Sequence, residues 1–331
     1  MRVGSVSYAT SRGLGHLCKA FYDHGIVTDV CVVRHPGVPT NEDWYPGAPS
    51  TALGGGWDGR TVRAFCREMD AVLFFETPFE WALLDFCREV GVRTYLITMY
   101  ECTPIHHPHP TRYFCPSTLD LKYFPVDRSV LLPLPVEYPW KLRERAQHYI
   151  HNGGYLGIRG REGTTLLIEA MQHVQAPLRL TIRVQENVAP KYQQMMARDP
   201  RIEYLAATIP YKELYATGDV CVQPQKWNGC SLPLQEAHAA GLLVMTTDRA
   251  PMNEWLPREP LIPVSGYKTD SQIGGAYLRF DEAMLSPRMI AQTMDAWYDR
   301  DIDKYSRAGK TWAEANSWEV LGPRYLEELS R

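Results

Sequence analysis

Short apolar runs recur along the chain, separated by segments whose apolar positions repeat every three to four residues. The runs at residues 2–8, 27–33, 71–75, 94–99, 113–115 and 130–132 predict strands, and the spacing over 59–69 and 80–90 predicts helices. Most of these runs lack apolar/polar alternation, as expected of strands covered on both faces, so the alternation with helices predicts a parallel sheet. Residues 34–59, rich in Pro and Gly, predict a long loop.

A proline-rich stretch, Pro133 to Pro139, interrupts this pattern, and a charged, helix-like segment follows over 140–147. The alternation restarts at 149–154 and continues with strands at 179–185, 202–205, 220–223 and 242–246. The expected architecture is two doubly wound α/β domains facing each other across a cleft. The boundaries are a first domain over 1–138, a linker over 139–148, a second domain over 149–305 and a closing segment over 306–331. In open sheets of this kind ligands bind beyond the carboxyl ends of the strands, so loops that leave a strand and open a helix carry the interest.

Composition narrows the function classes. The chain has 331 residues, 45% of them hydrophobic, enough for two cores. Lys and Arg number 35 against 38 Asp and Glu, a net charge of −3, and neither half is strongly basic. That excludes a body built for non-specific nucleic-acid binding, though not a local basic groove. Eight cysteines stand without close pairing, mostly inside apolar runs, which predicts buried free thiols rather than a disulfide framework or structural zinc. No apolar stretch approaches the ~20 residues of a membrane span, and no secretory signal is evident, so a cytoplasmic protein is expected.

The most informative segment runs from Pro224 to Gly241, PQKWNGCSLPLQEAHAAG. It leaves the strand at 220–223, turns at Gly229 and continues as a helix containing Glu236. A helix start favours phosphate through its unpaired N–H groups and partial positive charge, and glycine permits close approach of a ligand to the backbone. Glu236, a turn or so into the helix, is placed to accept hydrogen bonds from sugar hydroxyls. An ordinary strand-turn-helix with a solvated carboxylate fits these residues equally well.

This segment resembles the acidic motif of family four glycosyltransferases, a retaining group with the GT-B fold. Their pattern is a Glu, seven residues and a second Glu, with Gly-Phe-Gly-Leu-Pro between. Gly229, Leu232, Pro233, Glu236, Ala237 and Gly241 fall in register, while Asn228 stands at the first acidic position and supplies no carboxylate. The resemblance implies that Glu236 binds the nucleotide ribose. It also implies that Asn228 and the turn of Gly229, Cys230, Ser231 and Leu232 face the sugar and diphosphate. Residues 157–170 resemble the loop and helix that place cations on the donor diphosphate. Arg159 and Arg161 are the candidates, with Glu162 at the usual Lys position. The segments 211–215, 218–220, 249–254 and 316–326 follow the same order, the last resembling a closing helix that crosses back to the first domain.

In the first domain, Ser11-Arg-Gly13-Leu-Gly15-His16 follows the first strand, where GT-B enzymes carry a glycine loop. Glu76 and Glu101 each follow a strand. With Asn228 in the acidic motif, His16, Glu76 or Glu101 is expected to supply the catalytic base, Glu101 first. The histidines at 106, 107 and 109 lie between prolines and predict an acceptor-side loop rather than a metal site. Asp301-Ile-Asp303 has the form of a metal motif but lies in a charged helical stretch. No metal or cofactor is expected beyond a UDP- or GDP-linked sugar as co-substrate.

The expected acceptor is a saccharide, lipid-linked or small-molecule hydroxyl. The compact first domain and Met99-Tyr100-Glu101-Cys102 also resemble bacteriophage transferases, which implies a hydroxylated DNA base as the alternative acceptor. Arg12, Arg34, Arg60, Arg63 and Arg112 are available to contact phosphates in the DNA case. A non-catalytic sugar-nucleotide or glycan binder on the same fold is the reading from another class, and Asn228 supports it.

Overall fold

The computed structural model describes residues 1–105, 108–155, 160–270 and 280–331. The chain forms two compact units, residues 1–135 with 318–331, and residues 136–317.

The first unit is built on seven strands: β1 (Val3–Tyr8), β2 (Asp29–Arg34), β3 (Ser50–Ala52), β4 (Ala71–Phe75), β5 (Arg93–Ile97), β6 (Arg112–Cys115) and β7 (Ser129–Leu131). All pair in parallel in the order β3-β2-β1-β4-β5-β6-β7. Every residue of β4 is buried, as the unbroken apolar run requires of a central parallel strand. Helices α1 (Gly13–Asp23), α2 (Gly59–Arg67), α3 (Ala82–Glu89) and α4 (Thr118–Tyr123) cross over between strands. Asp58 caps α2 and Ser117 caps α4, each accepting from first-turn amides. Val33, Val62, Phe74, Leu83 and Leu96 join the core between α2, α3 and the sheet.

The second unit has five strands: β8 (His148–Gly154), β9 (Arg179–Val184), β10 (Ile202–Ala206), β11 (Val220–Gln223) and β12 (Leu243–Thr246). They are parallel in the order β10-β9-β8-β11-β12, and an antiparallel hairpin of β13 (Gly266–Asp270) and β14 (Phe280–Met284) stands apart. The helices are α5 (Thr164–Ala170), α6 (Pro190–Ala197), α7 (Leu232–Ala239), α8 (Pro287–Trp297) and α9 (Asp303–Ala315). Successive strand residues face opposite layers. Tyr149 and Val222 pack with Leu167 and Ile290, while Ile150 and Cys221 pack with Leu234 and Met252.

The chain then returns to the first unit as α10 (Trp318–Ser330), whose Trp318 and Tyr325 rings meet Phe21 edge-on. The Tyr325 hydroxyl donates to the Leu132 and Pro133 carbonyls.

Four expectations need adjustment. The proline-rich stretch ends the first unit at Pro135, and residues 139–148 lie within the second unit rather than between the two. Residues 140–147 are not helical. Their backbone bonds outward instead, Arg143 N–H to Ser306 Oγ and Ala146 N–H to the Arg300 carbonyl, so extended backbone is satisfied without a helix. The return to the first unit starts at Trp318, not at residue 306. Residues 34–59 contain a short strand, β3, paired with β2. All eight cysteines are free, seven of them buried. No helix among the described residues is long and apolar enough to cross a membrane.

Candidate functional site

Each sheet places its fourth strand in chain order beside its first, β4 beside β1 and β11 beside β8. Chain connections leave in opposite directions at that point, so the loops beyond the two carboxyl ends part and leave a crevice. In the second unit this point is flanked by the segment that enters α5 and the turn from β11 into α7, two loops beyond the strand ends.

These two loops are docked against each other. Gly163 adopts the left-handed backbone (φ 75°), and a β-carbon there would lie 2.1 Å from the Pro224 carbonyl oxygen. Only glycine fits both constraints. Lys226 N–H donates to the Arg161 carbonyl at 2.8 Å. Beneath them the fully buried His151 bridges strand to strand and helix, its Nδ1 2.9 Å from the Val222 carbonyl and its Nε2 2.8 Å from Thr164 Oγ1. Burial pushes its pKa down to about 4, so it stays neutral and structural.

The turn itself is wired by polar side chains. Gln223 Nε2 donates to the Asn152 carbonyl (2.8 Å), Gln225 Nε2 to Gln223 Oε1 (2.9 Å), and Ser231 Oγ to Gln225 Oε1 (2.9 Å). Thr246 and Thr247 hydroxyls donate to the Gln223 and Gln225 carbonyls. Ser231, which caps α7, has a left-handed φ of 45°. Arg249 donates to the Lys226 and Asp281 carbonyls, and Lys226 pairs with Glu282 at 3.2 Å, which ties the hairpin to the turn.

Glu236 lies one turn into α7, half-buried, and accepts from the Tyr211 hydroxyl at 3.1 Å. Burial pushes its pKa up to about 7, against hydrogen bonds from Tyr211 and Tyr215 that favour the carboxylate.

The expected donor residues sort unevenly. Gly229, Cys230 and Ser231 are buried in the turn, and Leu232 opens the helix. The helix start offers fewer amides than expected. Asn228 Oδ1 accepts from Ser231 N–H (3.2 Å), Pro233 has no N–H, and Leu234 and Gln235 N–H both go to the Ser231 carbonyl. Asn228 therefore shapes the turn. Arg161 Nε donates to Glu162 Oε1 at 3.2 Å, and burial raises the Glu162 pKa. Arg159 and the histidines 106 and 107 lie outside the described residues. Tyr211, Tyr215, Gln225 and Lys226 were not singled out from sequence. The tyrosines fell in a family-like segment and offered that one signal.

In the first unit the matching crevice lies beyond β1 and β4. Gly15 lets α1 start against the preceding turn, since a β-carbon there would lie 2.2 Å from the Thr10 carbonyl oxygen, whereas Gly13 faces open space. His16 is half-buried, its ring 5.2 Å from Trp44, and burial lowers its pKa. Glu76 sits at the end of β4 with a left-handed φ of 62°. Its N–H donates to the Ile97 carbonyl (2.9 Å) and its carbonyl accepts from Thr103 Oγ1 (2.7 Å), which holds the strained conformation. Its charge, after burial, helps raise the Tyr8 pKa.

Glu101 differs from the expectation. It is 1% exposed, closed off from any acceptor hydroxyl, and lies near Asp120, itself fully buried. Burial and then the Glu101 charge push Asp120 up to about 7, opposed by bonds from Ser117, the Tyr100 N–H and Thr98. Asp303 opens α9, whereas Asp301 lies before it and bridges to Arg145, so the pair is not within one helix. Of the five arginines considered for phosphate, Arg34, Arg63 and Arg112 pair with Glu42, Glu80 and Glu328.

Residues 151–265 match the family model for group 1 glycosyl transferases. No curated protein matches the chain. Among solved structures, Alr3699/HepE of Anabaena, in complex with UDP and glucose, superposes with a TM-score of 0.73 at 9% identity, covering 100% of this chain and 99% of that one. A glycosyltransferase of Rickettsia africae ESF-5 gives 0.70 at 11% identity, covering 99% and 97%. Sucrose-phosphate synthase of Thermosynechococcus elongatus gives 0.66 at 14%, covering 100% and 99%. The fold is GT-B, with two Rossmann-like parallel sheets.

Proposed function

We propose that this chain is a glycosyltransferase of the family four type that moves a sugar from a nucleotide-diphosphate sugar to an acceptor hydroxyl. The observation that carries the reading is Glu236, held one turn into α7 beside Tyr211 at the β8/β11 crossover, within the residues that match group 1 glycosyl transferases. HepE binds UDP and UDP-glucose in its crystal structures, which favours a UDP-linked donor here over a GDP-linked one.

In this reading the ribose hydroxyls donate to the Glu236 carboxylate. Arg159, Arg161, Lys226 and the start of α7 meet the charge that builds on the departing diphosphate, in place of a metal. The bond from the anomeric carbon to the phosphate oxygen breaks, and the nucleoside diphosphate keeps the electron pair. The acceptor oxygen bonds to the same carbon and loses its proton. Glu76 is the proposed base for that proton, because it is half-buried on a strained strand end, whereas Glu101 is sealed in the core. The acceptor is a saccharide or small-molecule hydroxyl. Three of five arginines being ion-paired leaves a DNA acceptor with less support.

Calorimetric titration with UDP and GDP tests the donor site. Wild type should bind, and Glu236→Ala should weaken binding about 10–100-fold, the loss of roughly 1.5–3 kcal/mol for a charge-assisted hydrogen bond. An unchanged affinity in a folded variant would remove the assignment. Release of labelled sugar from a nucleotide sugar separates an enzyme from a binding protein.

A further inference from the structure

We propose that Gln225 is a positioning residue for the donor site: it anchors Ser231 in the left-handed conformation from which α7 starts. The inference rests on the donor reading above for its consequence, though not for its geometry. Ser231 has a φ of 45°, a conformation disfavoured for any residue with a β-carbon. Nothing in a serine prefers it, so the fold must impose it. Two bonds reach the residue from within the turn, Asn228 Oδ1 to its N–H and Gln225 Oε1 to its hydroxyl. Asn228 is half-buried and three positions away on the same turn, so it moves with what it holds. Gln225 is 1% exposed and fixed from behind by Gln223, whose own amide is bonded to the Asn152 carbonyl of β8. Its backbone carbonyl is held as well, by Thr247 at 2.6 Å. The anchor is thus set by β8 and by the ends of β11 and β12, and the hydroxyl is the only side-chain handle Ser231 has.

Releasing it lets Ser231 relax toward an ordinary backbone conformation. That would turn the Ser231 carbonyl, which accepts from both Leu234 and Gln235 N–H, and with it the first turn that carries Glu236. Gln225 touches no donor atom in this scheme. It acts through Ser231.

The test is a cycle of Gln225→Ala and Ser231→Gly, alone and together. One readout is hydrogen–deuterium exchange over residues 226–236 in the free protein, and the other is UDP affinity by calorimetry. Gln225→Ala should speed exchange and weaken UDP, each about 3–10-fold, the scale of one hydrogen bond. Glycine adopts the left-handed conformation without an anchor. In the Ser231→Gly background the same Gln225→Ala change should therefore move neither readout by more than about twofold. Ser231→Ala deletes only the hydroxyl and should repeat the Gln225→Ala result, which covers failure of the glutamine variant to fold.

Equal effects of Gln225→Ala in both backgrounds would overturn the anchor and make Gln225 a packing residue. Unchanged exchange on Gln225→Ala or Ser231→Ala would overturn it as well. Exchange needs no ligand, so a wild type that binds no nucleotide strikes the donor reading alone.

Discussion

The two crossover points are built on one plan and finished differently. In each, the strand order brings the first and fourth strands together, and one glycine is forced by close approach to a carbonyl, Gly15 at Thr10 and Gly163 at Pro224. In the second unit, polar side chains then bond mainly to one another and to backbone. Gln223, Gln225, Ser231, Asn228 and Arg249 all serve the shape of the turn, and Glu236 stands out as half-buried with a pKa moved to about 7. In the first unit the loop after β4 holds two residues at left-handed φ, Glu76 and Phe79, while Glu101, after β5, is buried with Asp120 of α4. One crevice is stiffened by a network, the other by strain. A stiff binding surface suits a ligand of fixed shape such as a nucleotide, while strain held at a carboxylate suits a group that reacts.

The largest expected effect separates the two carboxylates of the first unit considered as the base, Glu76 and Glu101. Glu76→Gln should lower transfer turnover about 10²–10⁴-fold with UDP affinity kept within about twofold, as for loss of a general base. Glu101→Gln, which alters a buried side chain, should cost less than about tenfold in turnover. The reverse ranking would move the base into the core and end the contrast drawn here.

Asp120 probes the buried half of that contrast through stability. Its folded pKa of about 7 lies above the ordinary aspartate value of 3.8, so the folded state binds a proton that the unfolded chain releases. Its contribution is full below pH ~4 and is lost as pH rises through about 7, on the order of 2–4 kcal/mol. Urea denaturation of the first unit should show this fall between pH 5 and pH 8, and Asp120→Asn should flatten it. An equally steep fall in the variant would assign the pH dependence to other groups.

Much of the fold was readable because parallel strands buried on both faces leave unbroken apolar runs, as at residues 71–75 and 220–223. Residues 140–147 were misread because a charged stretch with helical spacing carries no sign that its amides will bond to Ser306 and to the Arg300 carbonyl. In the proposed donor site, Glu236 was legible through its match to the second Glu of the family four motif, since spacing alone fits a solvated helix carboxylate equally well. The Gln225 anchor was not, since it depends on which rotamers meet after the turn has closed. Glu76 and Glu101 look alike in sequence, each following a strand, and only burial and the left-handed backbone of Glu76 tell them apart.

The smallest expected effect tests whether Glu236, the second-unit carboxylate pushed up to about 7, is used as proposed. Glu236 in the free protein titrates at about 7. Ribose hydroxyls can donate to the carboxylate form, so binding should lower its pKa and release a proton. UDP affinity should then rise with pH through about 7 and level off above it, with roughly a tenfold loss from pH 8 to pH 6 attributable to this group. The terminal phosphate of UDP also changes charge near pH 6 and contributes a rise of its own in the same direction. Glu236→Gln shares the phosphate contribution and lacks the carboxylate. The informative quantity is therefore the ratio of wild-type to variant affinity, which should shrink about tenfold between pH 8 and pH 6. Parallel pH curves for the two proteins would mean that the nucleotide never meets this carboxylate in its charged form, and the second crevice would lose the one group that sets it apart as a ribose site.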